Sequence, residues 1–250
     1  MASSCEKEEL PLGDPEDHHQ ISKDTKYHFN LAVYSGSDDN DPALKVSGAI
    51  DFKFLWCFHK DLPRKLYDHL LTCIRPNQTE FSPEDRLNVI IRNNRIYQHK
   101  TMQIDYTTYD MCRDQDSINP RTRSDVMLLN ADHQADHAYL YARVIGVFHA
   151  DVCDCAHQKE FRWFEFLLVR WYEVVKAWEC GFKAKHLYRV CFLDGNDLFA
   201  FDFIDPDHVL RATHLIPRFW LGRTRELLGP SIAHCPGEKD RDFKEYLVNM

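Results

Sequence analysis

Three short segments between Tyr139 and Leu193 are dense in aromatic and β-branched residues, and they restrict the fold of this chain more than any other feature. They read YLYARVIGVFH, FRWFEFLLVRWYE and LYRVCFL, and FDFIDPDHVLRATHLIPRF follows them. Strands of this length at this spacing predict a small closed sheet. A scaffold of that kind is typical of proteins that bind a partner rather than perform chemistry.

The middle segment is apolar on both faces. Alternation along a strand places Phe161, Trp163 and Leu167 on one side and Phe164 and Phe166 on the other. An aromatic cage for a methylated ammonium group is the alternative use of the large rings in this region. The cage candidates are Trp163, Trp171, Tyr172 and Trp178. Because both faces are apolar, the pattern favours burial in a core over a cage.

The rest of the chain divides into three further parts. Residues 1–45 are rich in Asp, Glu, Ser, Gly and Pro and are expected to form a mostly disordered acidic leader. Residues 46–100 are a helical or mixed segment, 101–222 the β-barrel-like domain, and 223–250 a tail with a short helix. The predicted fold class is therefore α+β, with short helices flanking a small barrel.

Two helices are predicted in the segment before the barrel. Leu62, Leu66, Leu70 and Cys73 share one helical face in LPRKLYDHLLTCI. The serine of SPED is suited to a helix N-cap, with proline at the first helical position and acids in the first turn. This second helix is expected to run through RLNVIIRNNR, and the segment IDFKFLWCFH before the first helix is expected to be a strand or a buried segment.

Charge and cysteine content limit the function classes. Of the formal net charge of −8, most lies in residues 1–42, which hold ten acidic and three basic residues. The remainder is nearly neutral, so any polyanion would bind locally rather than to a basic domain. Nine cysteines among apolar neighbours predict reduced, buried thiols. The start of the chain has no signal-peptide pattern and no apolar run is long enough for a membrane span, so an intracellular protein is expected.

Two groups of side chains are candidates for chemistry. Cys153, Cys155 and His157, with His149, His133 and His137 nearby, carry zinc-ligand atoms, but no second pair completes a structural site, and a polar loop is the favoured interpretation. Aspartates recur at Asp105, Asp110, Asp114, Asp116, Asp202, Asp205 and Asp207, where turn capping is favoured over metal binding. Phosphate-loop, nucleophile-elbow and dinucleotide motifs are missing from the sequence.

Basic residues cluster at four places, interleaved with Tyr, Trp and Asn. The clusters are Arg92, Arg95 and Lys100; Arg113, Arg121 and Arg123; Lys183, Lys185, His186 and Arg189; and Arg218, Arg223 and Arg225. Such groups can contact phosphates, each contact adding salt-dependent and sequence-independent affinity. For any single cluster, a solvated surface balanced by acids is the favoured interpretation.

Two family resemblances add context. Residues 80–225, with RDQDSINPRT as the most specific string, resemble the C-terminal region of proteins encoded within or beside Plavaka-type DNA transposons of mushroom-forming fungi. The order YARVIGVF, VRWYE and DPDHVLRATHLIP is similar to a bromo-adjacent homology domain, a β-barrel module of chromatin proteins. The Arg-Pro that commonly follows the aromatic pair in that family is replaced here by Glu173-Val174-Val175.

These resemblances imply a non-catalytic, transposon-derived module that binds chromatin or nucleic acid in the nucleus, with the cytoplasm as the alternative location. No cofactor and no membrane contact are expected. The residues expected to contact nucleic acid are Arg113, Arg121, Arg123, Arg143 and Arg170. For Arg143 and Arg170 the alternative is structural pairing with acids such as Glu165. One competing hypothesis is a metal-dependent nuclease remnant that uses the Asp105 to Asp116 acids. Another is a protein-binding domain whose acidic leader docks on a basic partner.

Overall fold

The structure is a computed structural model. It describes residues 18–23, 25–30, 61–108, 112–131, 137–157, 160–176, 178, 180, 184–231, 233–235 and 237–249. The segment IDFKFLWCFH at 50–59, which is expected to be a strand or a buried segment, lies outside these residues, as do Asp110 and His133.

Sixteen strands dominate the described residues. They are β1 His19–Ile21, β2 Thr25–Asn30, β3 Val89–Ile91, β4 Arg95–His99, β5 Met102–Thr107, β6 Arg113–Ile118, β7 Asp125–Leu129, β8 Tyr139–Asp154, β9 Arg162–Val174, β10 Arg189–Phe192, β11 Phe201–Ile204, β12 Val209–Ala212, β13 His214–Pro217, β14 Arg223–Thr224, β15 Asp242–Phe243 and β16 Tyr246–Asn249. The described α-helices are α1 Leu62–Ile74 and α2 Pro83–Leu87. Short 3-10 turns occur at Arg92–Asn94, Pro206–His208 and Phe219–Leu221.

A long antiparallel pair, β8 with β9, forms the centre of the main sheet. Their register runs from Tyr141 opposite Tyr172 to Val152 opposite Arg162, with a bulge between Val144 and Gly146. The strand order along the sheet is β12-β7-β8-β9-β10-β16-β13, and β3, β4 and β11 pair with the two long strands beside this path. A second sheet has the order β1-β5-β6.

The expected closed barrel and α+β class are both wrong. The main sheet ends at β12 on one side and β13 on the other, and these two strands do not pair among the described residues. The fold is mostly open antiparallel β-sheet, with the two helices packed to one side. The long segments do form strands as expected. Their pairing partners, which decide whether a sheet closes, lie far apart in the chain and leave no local signal.

Among the described residues, the first helix has its expected extent, the second is shorter than expected and the tail forms a strand instead of a helix. Helix α2 ends at Leu87, because the β-branched run Val89–Ile91 pairs with β8 instead of extending the helix to Arg95. In the tail expected to be helical, Tyr246–Asn249 forms a strand between β10 and β13. Burial alternates along this strand, with Tyr246 and Val248 in the core, which is the period of a strand rather than of a helix.

Two described strands lie within the leader that is expected to be mostly disordered. Strand β1 pairs with β5, and β2 pairs with β4 at the side of the long ribbon. Strand β1 also brings its histidine to the face of β9, where Glu165 binds it. Part of the leader therefore belongs to the folded body.

The core consists of three groups of buried side chains. Leu62, Leu66 and Leu70 of α1 are fully buried among residues of β8, β9 and β11, as their shared helical face predicts. A second group lies between β5, β7, β8, β9 and β12. The third joins β10 and β16 to the ends of β8 and β9 and is rich in tyrosine and phenylalanine. The β8–β9 ribbon contributes to all three groups, so it connects the whole described core.

Candidate nucleic-acid interface

Three of the arginines predicted to contact nucleic acid lie at the surface. Arg113 begins β6, and Arg121 and Arg123 follow in the exposed turn after that strand. Arg123 donates from Nη2 to Asp116 Oδ1 at 2.7 Å, so part of its charge is already paired. All three arginines are exposed, and Arg123 is also held by this ion pair.

The other two predicted arginines are buried and cannot contact a nucleic acid. Arg170 is 0% exposed, and its two terminal nitrogens donate to the Asp242 carboxylate at 3.0 and 2.9 Å. Arg143 is 4% exposed; it donates from Nε to Asp125 at 3.0 Å and from Nη1 to Glu238 at 2.9 Å. The alternative of pairing with acids holds for both, although the partner is not Glu165.

A buried ionic network results from these pairs. His234 Nδ1 lies 3.1 Å from Asp242 Oδ1, and ligand atoms of His234, Glu238 and Asp242 lie within 4.8 Å of one another. Burial alone would lower the pKa of His234, but the hydrogen bond and the charge of Asp242 outweigh it and raise that pKa. Guanidinium groups already bind both carboxylates, which leaves little net negative charge for a cation at this trio.

Among the candidates that the structure describes, which exclude His133, the cysteines and histidines do not assemble into a zinc site. The Sγ atoms of Cys153 and Cys155 are 3.9 Å apart, but His157 Nδ1 faces Asp154 Oδ2 at 3.1 Å. His149 binds another histidine elsewhere on the sheet. Asp154 is fully buried and pairs with an arginine at the end of α1. The favoured interpretation, a polar turn after β8, fits this arrangement.

The aspartates predicted as alternative metal ligands bind separate partners. Asp105 accepts from the Gln115 amide and Asp114 accepts from the Tyr106 hydroxyl. Asp205 caps the turn Pro206–His208 through the Asp207 backbone amide. These contacts match turn capping and strand pairing, and they give no support to the nuclease hypothesis.

An exposed aromatic pair, which the sequence does not single out, lies beside one of the predicted basic clusters. Phe219 and Trp220 are 67% and 69% exposed. They form the 3-10 turn after β13, which ends at Gly222 with φ 74°, a left-handed conformation that favours glycine. We call Phe219 and Trp220 the aromatic turn.

Local contacts hold the aromatic turn in place. The guanidinium of Arg218 lies 4.7 Å from the centre of the Trp220 ring and is itself fixed by an ion pair with Glu245. The Phe219 ring meets the Phe243 ring edge-on, with centroids 5.3 Å apart. Both rings are thus supported from below while most of their surface faces solvent.

Exposed cations occur in the two segments beside this turn, 223–225 and 241–244. The pair β14–β15 aligns Arg223 with Phe243, and the Arg223 guanidinium lies 4.3 Å from the Phe243 ring. The Lys244 backbone amide donates to the Gly222 carbonyl, which ties the two segments together. We call the exposed cations of these segments the basic rim; they are Arg223, Arg225, Arg241 and Lys244. The acids Glu238, Asp242 and Glu245 here are engaged by Arg143, Arg170 and Arg218, whereas the exposed acids Glu226 and Asp240 next to these segments offset part of the charge of the rim.

Comparison of the chain with protein-family models, with curated proteins and with solved structures finds no match. Among the described residues, no helix combines the length and the apolar character needed to cross a bilayer. The interpretation of the surface therefore depends on its own chemistry.

Proposed function

We propose that this protein is a non-catalytic nucleic-acid interaction module that binds through the aromatic turn and the basic rim. The observation that carries the proposal is the pair of adjacent rings, Phe219 and Trp220, each about two-thirds exposed and supported from below among exposed cations. Rings held in this way offer flat faces to nucleobases.

The energetics favour a binding role for these rings. Leaving a large apolar side chain exposed forgoes about 1.5–3 kcal/mol of burial free energy. Stacking of a base on an aromatic side chain contributes about 1–3 kcal/mol per base and tolerates any sequence. Binding of a single strand would therefore bury these rings and recover the free energy of burial that they do not contribute to folding.

The basic rim supplies the electrostatic part of the interaction. Lysine and arginine contacts to phosphates release condensed counterions, which gives affinity that falls with salt and does not depend on sequence. Arg113 and Arg121, which are exposed at the start of β6 and in the turn after it, are proposed as additional phosphate contacts. The resemblance to Plavaka-type transposon proteins supports the same proposal, because DNA is the substrate of such elements.

Paired ring substitutions test the proposal. We expect Phe219→Ala/Trp220→Ala to weaken binding of a fluorescent single-stranded oligonucleotide by about tenfold or more, measured by fluorescence anisotropy. The matched control is Phe199→Ala, which removes a ring that is 72% exposed but lies outside the basic rim. Unchanged affinity in the double variant, or an equal loss in the control, would contradict the proposal.

A further inference from the structure

Three aromatic rings stack in a column on strands β4, β8 and β9. None of them belongs to the aromatic turn. The His149 ring lies between Tyr97, with centroids 4.7 Å apart and planes at 8°, and Trp163, with centroids 3.5 Å apart and planes at 14°. The strand register brings the three rings together. Tyr97 is directly opposite His149, and Trp163 is opposite Asp151, which lies two residues after His149 on β8. Trp163 forms the top of the column and is 53% exposed.

Hydrogen bonds fix the orientation of the exposed indole. Trp163 Nε1–H donates to Glu165 Oε1 at 2.8 Å. The other oxygen of Glu165 lies 2.8 Å from His19 Nε2, and His19 Nδ1 lies 2.6 Å from Asp207. A half-exposed tryptophan is thus held by a chain of contacts that reaches strand β1. Such a preorganised ring binds a flat ligand at little cost in side-chain entropy.

The imidazole of His149, which lies beneath the Trp163 indole, is uncharged near neutral pH. Burial, reinforced by the neighbouring His99, lowers the pKa of His149 to about 4. The Ser22 carbonyl, which can only accept, lies 2.6 Å from His99 Nδ1, so His99 donates from that atom. His99 Nε2 then accepts from His149 Nδ1 at 2.5 Å. This order of donors fixes both neutral tautomers and keeps the column rigid.

A cation lies beside the column. The half-exposed Arg92 guanidinium is 4.5 Å from the ring centre of Phe161, which lies two residues before Trp163 in the chain. Its Nη1 atom is 3.6 Å from Asp151, which holds it loosely in place. Arg95, also exposed, lies two residues before Tyr97 on β4. A rigid ring with a guanidinium at its side matches a base joined to a phosphate.

We propose that Trp163 and Arg92 form a nucleotide-binding site, in which a nucleobase stacks on the exposed face of the indole and its phosphate pairs with the guanidinium. The site uses none of the residues of the aromatic turn or the basic rim. A free nucleotide and a nucleotide within a strand share this chemistry. Where the nucleotide belongs to a strand, the site extends the proposed nucleic-acid interface.

Adenosine monophosphate and a short single-stranded oligonucleotide are the two probes for a test by NMR. The readout is the Trp163 indole N–H resonance, assigned from its loss in Trp163→Phe. We expect either probe to shift it. A shift with both probes, or with the mononucleotide alone, supports a site for free nucleotides, and a shift with the oligonucleotide alone supports a site for a nucleotide within a strand. No shift with either probe at millimolar concentration would overturn the proposal.

Variants separate the roles of ring and cation. Titration calorimetry, which does not depend on the indole resonance, is expected to show binding of the probe that shifts the resonance weakened about tenfold in Trp163→Leu and mostly retained in Trp163→Phe. Arg92→Ala is expected to weaken binding of adenosine monophosphate but not of adenosine, and an equal effect on both would contradict a phosphate contact. The NMR titration in Trp220→Ala separates the two proposals. A Trp163 shift that persists in this variant supports a site independent of the aromatic turn, and loss of the shift would overturn that independence.

Discussion

At the scale of single residues, the buried Arg170–Asp242 pair shows how a surface prediction turns into a structural role. Arg170 is predicted from the sequence to contact nucleic acid, yet it is fully buried and Asp242 of β15 pairs with both of its terminal nitrogens. Its guanidinium also lies 3.8 Å from the ring centre of Phe192. Removing one partner of such a pair leaves an uncompensated charge in the core, which costs far more than an exposed ion pair contributes.

Substitution of Asp242 by Asn is expected to destabilise the protein strongly. An unpaired buried guanidinium should lower the free energy of unfolding by about 3–5 kcal/mol, measured by urea denaturation. The control is the double variant Arg170→Met/Asp242→Leu, which removes both charges and should recover most of the loss. A single variant as stable as the natural protein would show that the pair does not hold the C-terminal segment to β9.

The pKa values of His149 and His19 are shifted in opposite directions, and these shifts test the packing around the ring column. Burial lowers the pKa of His149 to about 4, so its contribution to stability is complete above pH 6.5 and is lost as the pH falls toward 4. For His19, burial opposes the shift, but the hydrogen bonds to Glu165 and Asp207 prevail and raise the pKa above 6.5. The His19 contribution is therefore complete below pH 6.5 and is lost as the pH rises through the raised pKa.

NMR titration of the histidine ring protons measures both groups in one experiment. We expect the His149 midpoint near pH 4 and the His19 midpoint above 6.5. Replacing Glu165 by Gln should lower the His19 midpoint, because the remaining amide carries no charge. Midpoints near 6.5 for both histidines would contradict the packing described for the column.

At the scale of elements, the sequence predicts what depends on neighbours in the chain. Helix α1 shows its buried face through Leu62, Leu66 and Leu70, and the predicted N-cap of α2 is Ser82, which forms reciprocal hydrogen bonds with Asp85. The strands β8 and β9 are evident from their apolar runs. Elements set by distant partners are missed, such as β16, which is a strand because β10 and β13 lie on either side of it.

Part of the candidate site is likewise visible in the sequence, and part depends on distant residues. The cluster containing Arg218 and Arg223 is visible in the sequence, and the Phe-Trp pair directly after Arg218 is the signal that could have identified the aromatic turn. The burial of Arg143 and Arg170 is not visible, because their partners Glu238 and Asp242 are about 70 or more positions away. Nor does the pattern show that Trp163, expected in the core, is half-exposed, because that depends on what covers its face of the sheet.

At the scale of the whole molecule, charge is unevenly distributed. Residues 1–42 hold ten acidic and three basic residues, whereas the remainder is nearly neutral. A general basic field is therefore missing, and the proposed affinity depends on the four cations of the basic rim and on stacking at the aromatic turn. Few phosphate contacts should give a shallow salt dependence, and stacking should favour single strands over duplex DNA.

The central claim is tested most directly by titrating the full chain against a fluorescent single-stranded oligonucleotide across a salt series. For single strands the logarithm of the affinity falls by about 0.7 per phosphate contact for each decade of salt. With up to four rim contacts and the additional ones proposed at Arg113 and Arg121, we expect a linear decrease with a slope of roughly −2 to −4, and weaker binding of duplex of the same length. Lack of binding at micromolar protein in low salt, or an affinity that does not change with salt, would contradict the claim.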